Sequence, residues 1–123
     1  MPERVEDRPP KPLVWVGSSK RDLMALPASV ADTFGYALFL AQIGKRHDSI
    51  KVLRGFGDAS VMEVIELLEG NAYRAVYAVR FSAAVFVLHV FQKKSKSGAK
   101  TPKPDLARIA ERLKYAARLA KEM

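Results

Sequence analysis

The chain has 123 residues, of which 49% are hydrophobic and 28% charged, with a formal net charge of +8. That length suits one domain, and the apolar content is enough for a core rather than a disordered chain. The absence of cysteine excludes disulfide scaffolds, thiolate metal sites and cysteine nucleophiles, and the basic balance favours a polyanionic partner: nucleic acid, an acidic protein or an anionic membrane surface.

Met1 to Pro12 carries Pro2, Pro9, Pro10 and Pro12, which deny it helix and ladder hydrogen bonds, so it is expected to be a flexible lead-in without a signal-peptide core. Leu13 to Val16 is a short apolar run, expected to be the first strand. Ser18 or Ser19 is placed to cap a short helix running through Leu26, with Asp22 early in it. Pro27 interrupts, and a second helix is expected over Ala28 to Ile43. Val30, Phe34, Ala37, Leu38 and Ala41 fall on one face of it; Phe39 and Leu40 widen the stripe and predict a well-buried helix.

Beyond the polar connection Gly44 to Ser49, Ile50 to Leu53 reads as a strand or an extended arm, and Arg54 to Ser60 as a loop. Val61 to Leu68, Tyr73 to Phe81 and Ala84 to Phe91 read as three strands of an antiparallel meander, with turns at Glu69-Gly70-Asn71 and Ser82-Ala83. Lys93 to Lys100 is a basic loop. Thr101 is placed to cap a last helix, with Pro102 and Pro104 near its start. Its apolar stripe runs through Leu106, Ile109, Leu113, Ala116 or Ala117, and Ala120. No apolar run is long enough to span a membrane, and the chain reads as cytoplasmic.

Strand parity separates Arg74, Val76, Ala78 and Arg80 from Tyr73, Ala75, Tyr77, Val79 and Phe81. The second set is the expected core face, which places Arg74 on a more open one. There its guanidinium could grip a phosphate with two hydrogen bonds. Position alone slightly favours a plainer account, an arginine paired with Glu63 or Glu66 on the neighbouring strand. Arg80, near the strand end, fits a surface salt bridge. His89 is expected to share parity with Val85, Val87 and Phe91, and a structural role is favoured over acid–base work. Lys93, Lys94, Lys96 and Lys100 form a run without an acid, able to attract RNA or neutralise a phosphorane-like transition state; a solubilising loop is the alternative. Lys51 and Arg54 add cations on an earlier connection. No metal-ligand spacing, phosphate-binding loop or dinucleotide fingerprint is present, so no metal or cofactor is expected.

The words VWVGSSKRDLMALP (Val14 to Pro27), FGYALFLAQIG (Phe34 to Gly44), KVLRGFG (Lys51 to Gly57), MEVIE (Met62 to Glu66), YRAVYAVRF (Tyr73 to Phe81) and VLHVFQKKSKSGAKTPKPDL (Val87 to Leu106) together resemble HigB-type toxins of the RelE/ParE superfamily, in the branch of phage-derived proteins. The resemblance covers nearly the whole chain after residue 12. It implies an α+β, RelE-like fold over residues 13 to 123: two N-terminal helices, an antiparallel meander and a C-terminal helix.

It also implies a toxin of a type II toxin–antitoxin system, a ribosome-dependent endoribonuclease whose substrate is mRNA on the ribosome. Its partner would be a cognate helix-turn-helix antitoxin; a monomer is plausible without it. Cleavage would proceed by attack of a 2′-OH on the adjacent phosphate, without a metal. Carried over by position, Arg74 would clamp the transition state, Lys93 and Lys94 would supply the basic segment, and His89 would lie in the family's VLHVF word. Lys51, Arg54, Arg80, Lys96 and Lys100 would contact RNA. Two departures stand out: Glu63-Val64-Ile65 replaces a frequent ELR, and only Tyr115 stands near the C-terminal end as an acid–base tyrosine. The ParE branch inhibits DNA gyrase instead, so a non-nuclease toxin, or an inactive member that binds RNA or antitoxin, is the alternative.

Overall fold

β-Branched and aromatic residues are enriched in the runs that become strands, and these strands join in one sheet. The computed structural model describes residues 9–93 and 100–123. Among them the elements run β1 (Leu13–Trp15), α1 (Ser19–Met24), α2 (Ala28–Gln42), β2 (Ile50–Val52), β3 (Val61–Leu68), β4 (Asn71–Ala78), β5 (Val85–Lys93) and α3 (Lys103–Glu122). In the strand order β1-β5-β4-β3-β2, β3 to β5 form the expected antiparallel meander, and β2, expected as a strand or an extended arm, extends it antiparallel to β3. β1 joins it in parallel, beside β5, with Leu13 opposite Val85.

Both faces of the sheet are covered, which corrects the expectation of one open face. Against α1 and α2 lie Met62, Val64, Tyr73, Ala75, Tyr77, Val85, Val87 and Val90. Against α3 lie Val61, Val76, Ala78, Phe86 and Leu88, packed on Ile109, Leu113 and Ala116. Parity was therefore read correctly along β4, but α3 folds back over the face assigned to solvent.

Helix α2 buries Val30, Phe34, Ala37, Leu38 and Ala41 as its spacing requires. Phe39 does not join them: it is 47% exposed, beside Tyr36 at 56%, because those positions point away from the sheet. Helix α1 is tied down by Ser19, whose hydroxyl donates to the Val87 carbonyl at 3.2 Å. Ser18 makes no side-chain cap; its hydroxyl donates instead to Asp22 Oδ2 at 2.6 Å.

Two irregularities decide where side chains go. The β4–β5 register shifts between Val76 and Tyr77: Val76 faces His89, but Tyr77 faces Val87, leaving Leu88 as the extra residue of a bulge. Leu88 and His89 consequently point to the same side, toward α3. This overturns the expected parity of His89 with Val85 and Val87, which lie on the α2 side. Strand β4 also ends at Ala78 rather than Phe81. The Val79 amide bonds the Ser60 carbonyl at 2.9 Å, and the chain then bends toward the loop after β2.

Candidate functional site

Cross-strand register lines up a polar row on the α3-facing side of the sheet. Lys51 lies opposite Glu63, Glu63 opposite Val76, and Val76 opposite His89. Arg74, two residues before Val76 on β4, reaches diagonally to Glu63. Its Nη1 donates to Glu63 Oε2 at 3.2 Å and to Thr101 Oγ1 at 3.2 Å. Thr101 donates in turn to Glu63 Oε2 at 2.8 Å. Arg74 is completely buried and Glu63 is 5% exposed.

Thr101 therefore does not cap α3, contrary to expectation. Pro102 occupies the N-cap position and no side-chain cap forms. A buried carboxylate and guanidinium must satisfy their hydrogen-bonding capacity inside the protein, and the Thr101 hydroxyl serves that need at the point where the chain enters α3. The structure thus places Arg74 in the plainer of its two expected settings, paired with Glu63 beneath a covering segment. It does not stand on an open face.

A second triad lies alongside. His89 Nε2 is 2.8 Å from Asp105 Oδ1 in the first turn of α3. On the other side of the ring, Arg112 Nη1 lies 3.4 Å from Nδ1. Arginine only donates, so Nδ1 is the acceptor and Nε2–H donates to Asp105. That arrangement is the neutral imidazole. Burial lowers the His89 pKa below its usual value, the Asp105 carboxylate raises it by hydrogen bond and charge, and Arg112 and Arg108 lower it; desolvation prevails. The ring is 3% exposed and stacks on Phe91 at 4.5 Å between centroids.

Arg112 also donates to the Leu88 carbonyl at 2.8 Å and to Ser18 Oγ at 3.2 Å. It joins α3 to the bulge and to the β1–α1 turn. Gly17, with φ +57°, makes room for it: a Cβ there would fall 2.8–2.9 Å from the guanidinium atoms. Asp105, Thr101 and Arg112 were not singled out as site residues in the sequence. Their signal is the spacing of Asp105 and Arg112, seven residues apart and therefore on one face of α3.

The cations divide by accessibility. Lys51 and Arg54 are exposed. Lys93, at the end of β5 opposite Ala72, donates from Nζ to the Lys100 carbonyl, next to Thr101 of the Arg74 cluster. Lys94 and Lys96 lie outside the described residues. Arg80 is occupied elsewhere: Nε donates to Ser60 Oγ at 2.9 Å, and Nη2 to the Phe56 carbonyl at 2.5 Å and Asp58 Oδ1 at 3.2 Å. It braces the loop between β2 and β3, as a surface salt bridge does. Ser60 and Arg80 hold the Asp58 carboxyl below the usual carboxylate range. Tyr73 and Tyr77 face the α2-side core. Tyr115 is 46% exposed and lies under Arg118, 5.9 Å from the ring centroid.

Among the described residues no helix is long and apolar enough to cross a membrane. Among the described residues, a five-stranded sheet flanked by helices, with a covered polar row and with Lys93 and Lys100 meeting beside it, defines a mixed α+β protein. The family model of the phage-derived protein Gp49-like family (DUF891) matches residues 21–114, from α1 to the middle of α3. The chain belongs to that family, which lies within the RelE-like toxin superfamily. Neither a curated protein nor a solved structure matches the chain.

Proposed function

We propose that this protein is a HigB-type toxin of a type II toxin–antitoxin system that cleaves mRNA on the ribosome by metal-independent 2′-OH attack. The observation that carries the reading is the Gp49-like match over residues 21–114. It is supported by the cations that meet where β5 ends, Lys93 and Lys100, with the exposed Lys51 on β2, three strands away, as a separate contact.

In this reading the basic segment from Lys93 to Lys100 does the electrostatic work. Its lysines draw in the RNA backbone and offset the charge that grows on the scissile phosphate. Lys51 and Arg54, at the far edge of the sheet, offer separate contacts to RNA. Arg74 acts through Glu63 and Thr101: it holds the end of the loop rather than touching the phosphate. His89, neutral and bonded to Asp105, anchors the first turn of α3 in the same way. The partner that restrains such a toxin is a cognate helix-turn-helix antitoxin.

The test is to induce the chain alone in bacteria and map new mRNA 5′ ends, beside a variant with Lys93, Lys94, Lys96 and Lys100 all replaced by alanine. In-frame cleavage within translated codons, lost in a variant that stays folded, is the expected result. Cleavage undiminished in the variant removes the basic loop from the mechanism.

The burial of Arg74 and His89 favours a second reading, a ParE-like toxin that blocks DNA gyrase. Growth arrest and a DNA-damage response without new RNA ends would select it.

A further inference from the structure

On the opposite side of the sheet from the Arg74 cluster, a cavity of about 280 Å³ opens where α2 ends. Lys11, Lys45 and Arg46 contribute cations to its lining, Tyr77 a phenol, and Met62 and Val79 apolar wall. Among the described residues no carboxylate lines it. We propose that this cavity is a binding site for a small phosphomonoester, such as a mononucleotide. The proposal stands independently of the toxin reading.

The cations are placed by backbone structure. The Lys11 amide donates to the Gln42 carbonyl at 2.9 Å, and Gln42 Nε2 returns a bond to the Lys11 carbonyl at 2.7 Å. This double tie holds the segment before β1 against the end of α2. Gly44, at φ +78°, turns the chain out of the helix, and the Lys45 amide bonds the Leu40 carbonyl at 2.7 Å. The Ala41 and Phe39 carbonyls are likewise taken, by Gly44 and Ile43. The negative end of the helix is thus covered by its own turn, and the flanking charges set the local field.

Tyr77 distinguishes the cavity from a bare patch of lysines. Its side chain is 1% exposed, and burial pushes its pKa up to about 12 against the pull of Arg46. It stays a neutral hydrogen-bond donor at physiological pH. Dispersed cations beside a neutral phenol suit a compact dianion, and the Met62 and Val79 wall suits the apolar edge of its carrier. The volume lies at the small end of ligand sites, so one nucleotide or less is the fitting size.

The probes are AMP, inorganic phosphate and adenosine, each titrated into the full chain and followed by amide NMR shifts. AMP is expected to move the Gly44, Lys45, Arg46 and Val79 amides, phosphate to move the same set more weakly, and adenosine to leave them unmoved. Lys45→Ala with Arg46→Ala, both exposed positions, should weaken AMP binding more than about tenfold. Tyr77→Phe should weaken it about fivefold, while Lys114→Ala on α3 should not.

A trinucleotide with and without a 5′-phosphate separates the sources. Tighter binding of the phosphorylated form than of AMP assigns the site to an RNA end; equal or weaker binding assigns it to a free nucleotide. Shifts scattered over the lysines of the whole surface, no shift at these amides at millimolar AMP, or undiminished binding in the Lys45/Arg46 variant overturns the proposal.

Discussion

Arg74 Nη1 and Glu63 Oε2 meet at 3.2 Å, both buried, on neighbouring strands of the meander. The pair is closed from above by Thr101, which bonds both partners. A fully buried arginine so engaged couples the strand register to the position of the chain entering α3.

Removing one partner strands the other charge in the core. Arg74→Ala and Glu63→Ala are each expected to destabilise the fold by about 3–5 kcal/mol. The double variant Arg74→Met, Glu63→Leu should cost well under the sum of the single changes, because it leaves no buried charge. Urea unfolding of the three proteins measures this. Additive losses would show that the two side chains are not coupled. Loss of toxicity in Arg74→Ala has to be read beside its unfolding midpoint, since the variant loses structural support as well.

Stability should depend on pH through His89. Its folded pKa is lowered chiefly by burial, whereas the unfolded ring titrates near the ordinary value of about 6.5. The unfolded chain therefore takes up the proton first as pH falls. The His89 contribution is fully present above about pH 6.5 and is lost as pH drops from there toward the folded pKa. His89→Gln should flatten that part of the profile. Urea midpoints measured at half-unit steps would test it, and an identical slope in the variant would assign the dependence to another group.

Gly17 and Gly70 separate two costs. Both have positive φ, +57° and +81°, but a Cβ at Gly70 meets open space whereas one at Gly17 meets the Arg112 guanidinium. Gly70→Ala should lose about 1 kcal/mol from backbone strain. Gly17→Ala should lose more, because Arg112 must also leave Leu88 and Ser18. Combining each with Arg112→Ala should bring the two glycine changes close together. Thermal melts in both backgrounds decide it, and equal losses in the native background would mean that Arg112 shifts freely.

Arg80 fits a surface salt bridge by position and an RNA contact by resemblance; its guanidinium braces Phe56, Asp58 and Ser60. Arg80→Ala should speed amide hydrogen exchange across residues 54–60 and, under the proposed nuclease function, leave mRNA cleavage unchanged. Lys51→Ala with Arg54→Ala should do the reverse. Those side chains are exposed, so stability should stay within about 0.5 kcal/mol, while RNA binding weakens and its dependence on salt becomes shallower.

Much of the fold was readable locally. The spacing of Val30, Phe34, Ala37, Leu38 and Ala41 set both the extent and the buried face of α2. The turn at Ser82-Ala83 and the punctuation at Glu69-Gly70 located the strands of the meander. The stripe Ile109, Leu113, Ala116 marked the inner face of α3. The bulge at Leu88 was not readable. One extra residue in a uniformly apolar strand leaves no break in its pattern, yet it reverses the direction of every side chain on one side of it.

By itself the sequence determined the helices, the meander, the basic surplus and the resemblance that the Gp49-like match supports in its coarser form, because these rest on periodicity, composition and words of adjacent residues. Only the tertiary structure decided that α3 covers the Arg74 face, that Glu63 and Thr101 engage that arginine, and that His89 sits neutral between Asp105 and Arg112. Those outcomes join residues 11 to 38 positions apart. Local pattern sets which side chains share a face, but the energy of burying a charge depends on what the rest of the chain brings to meet it.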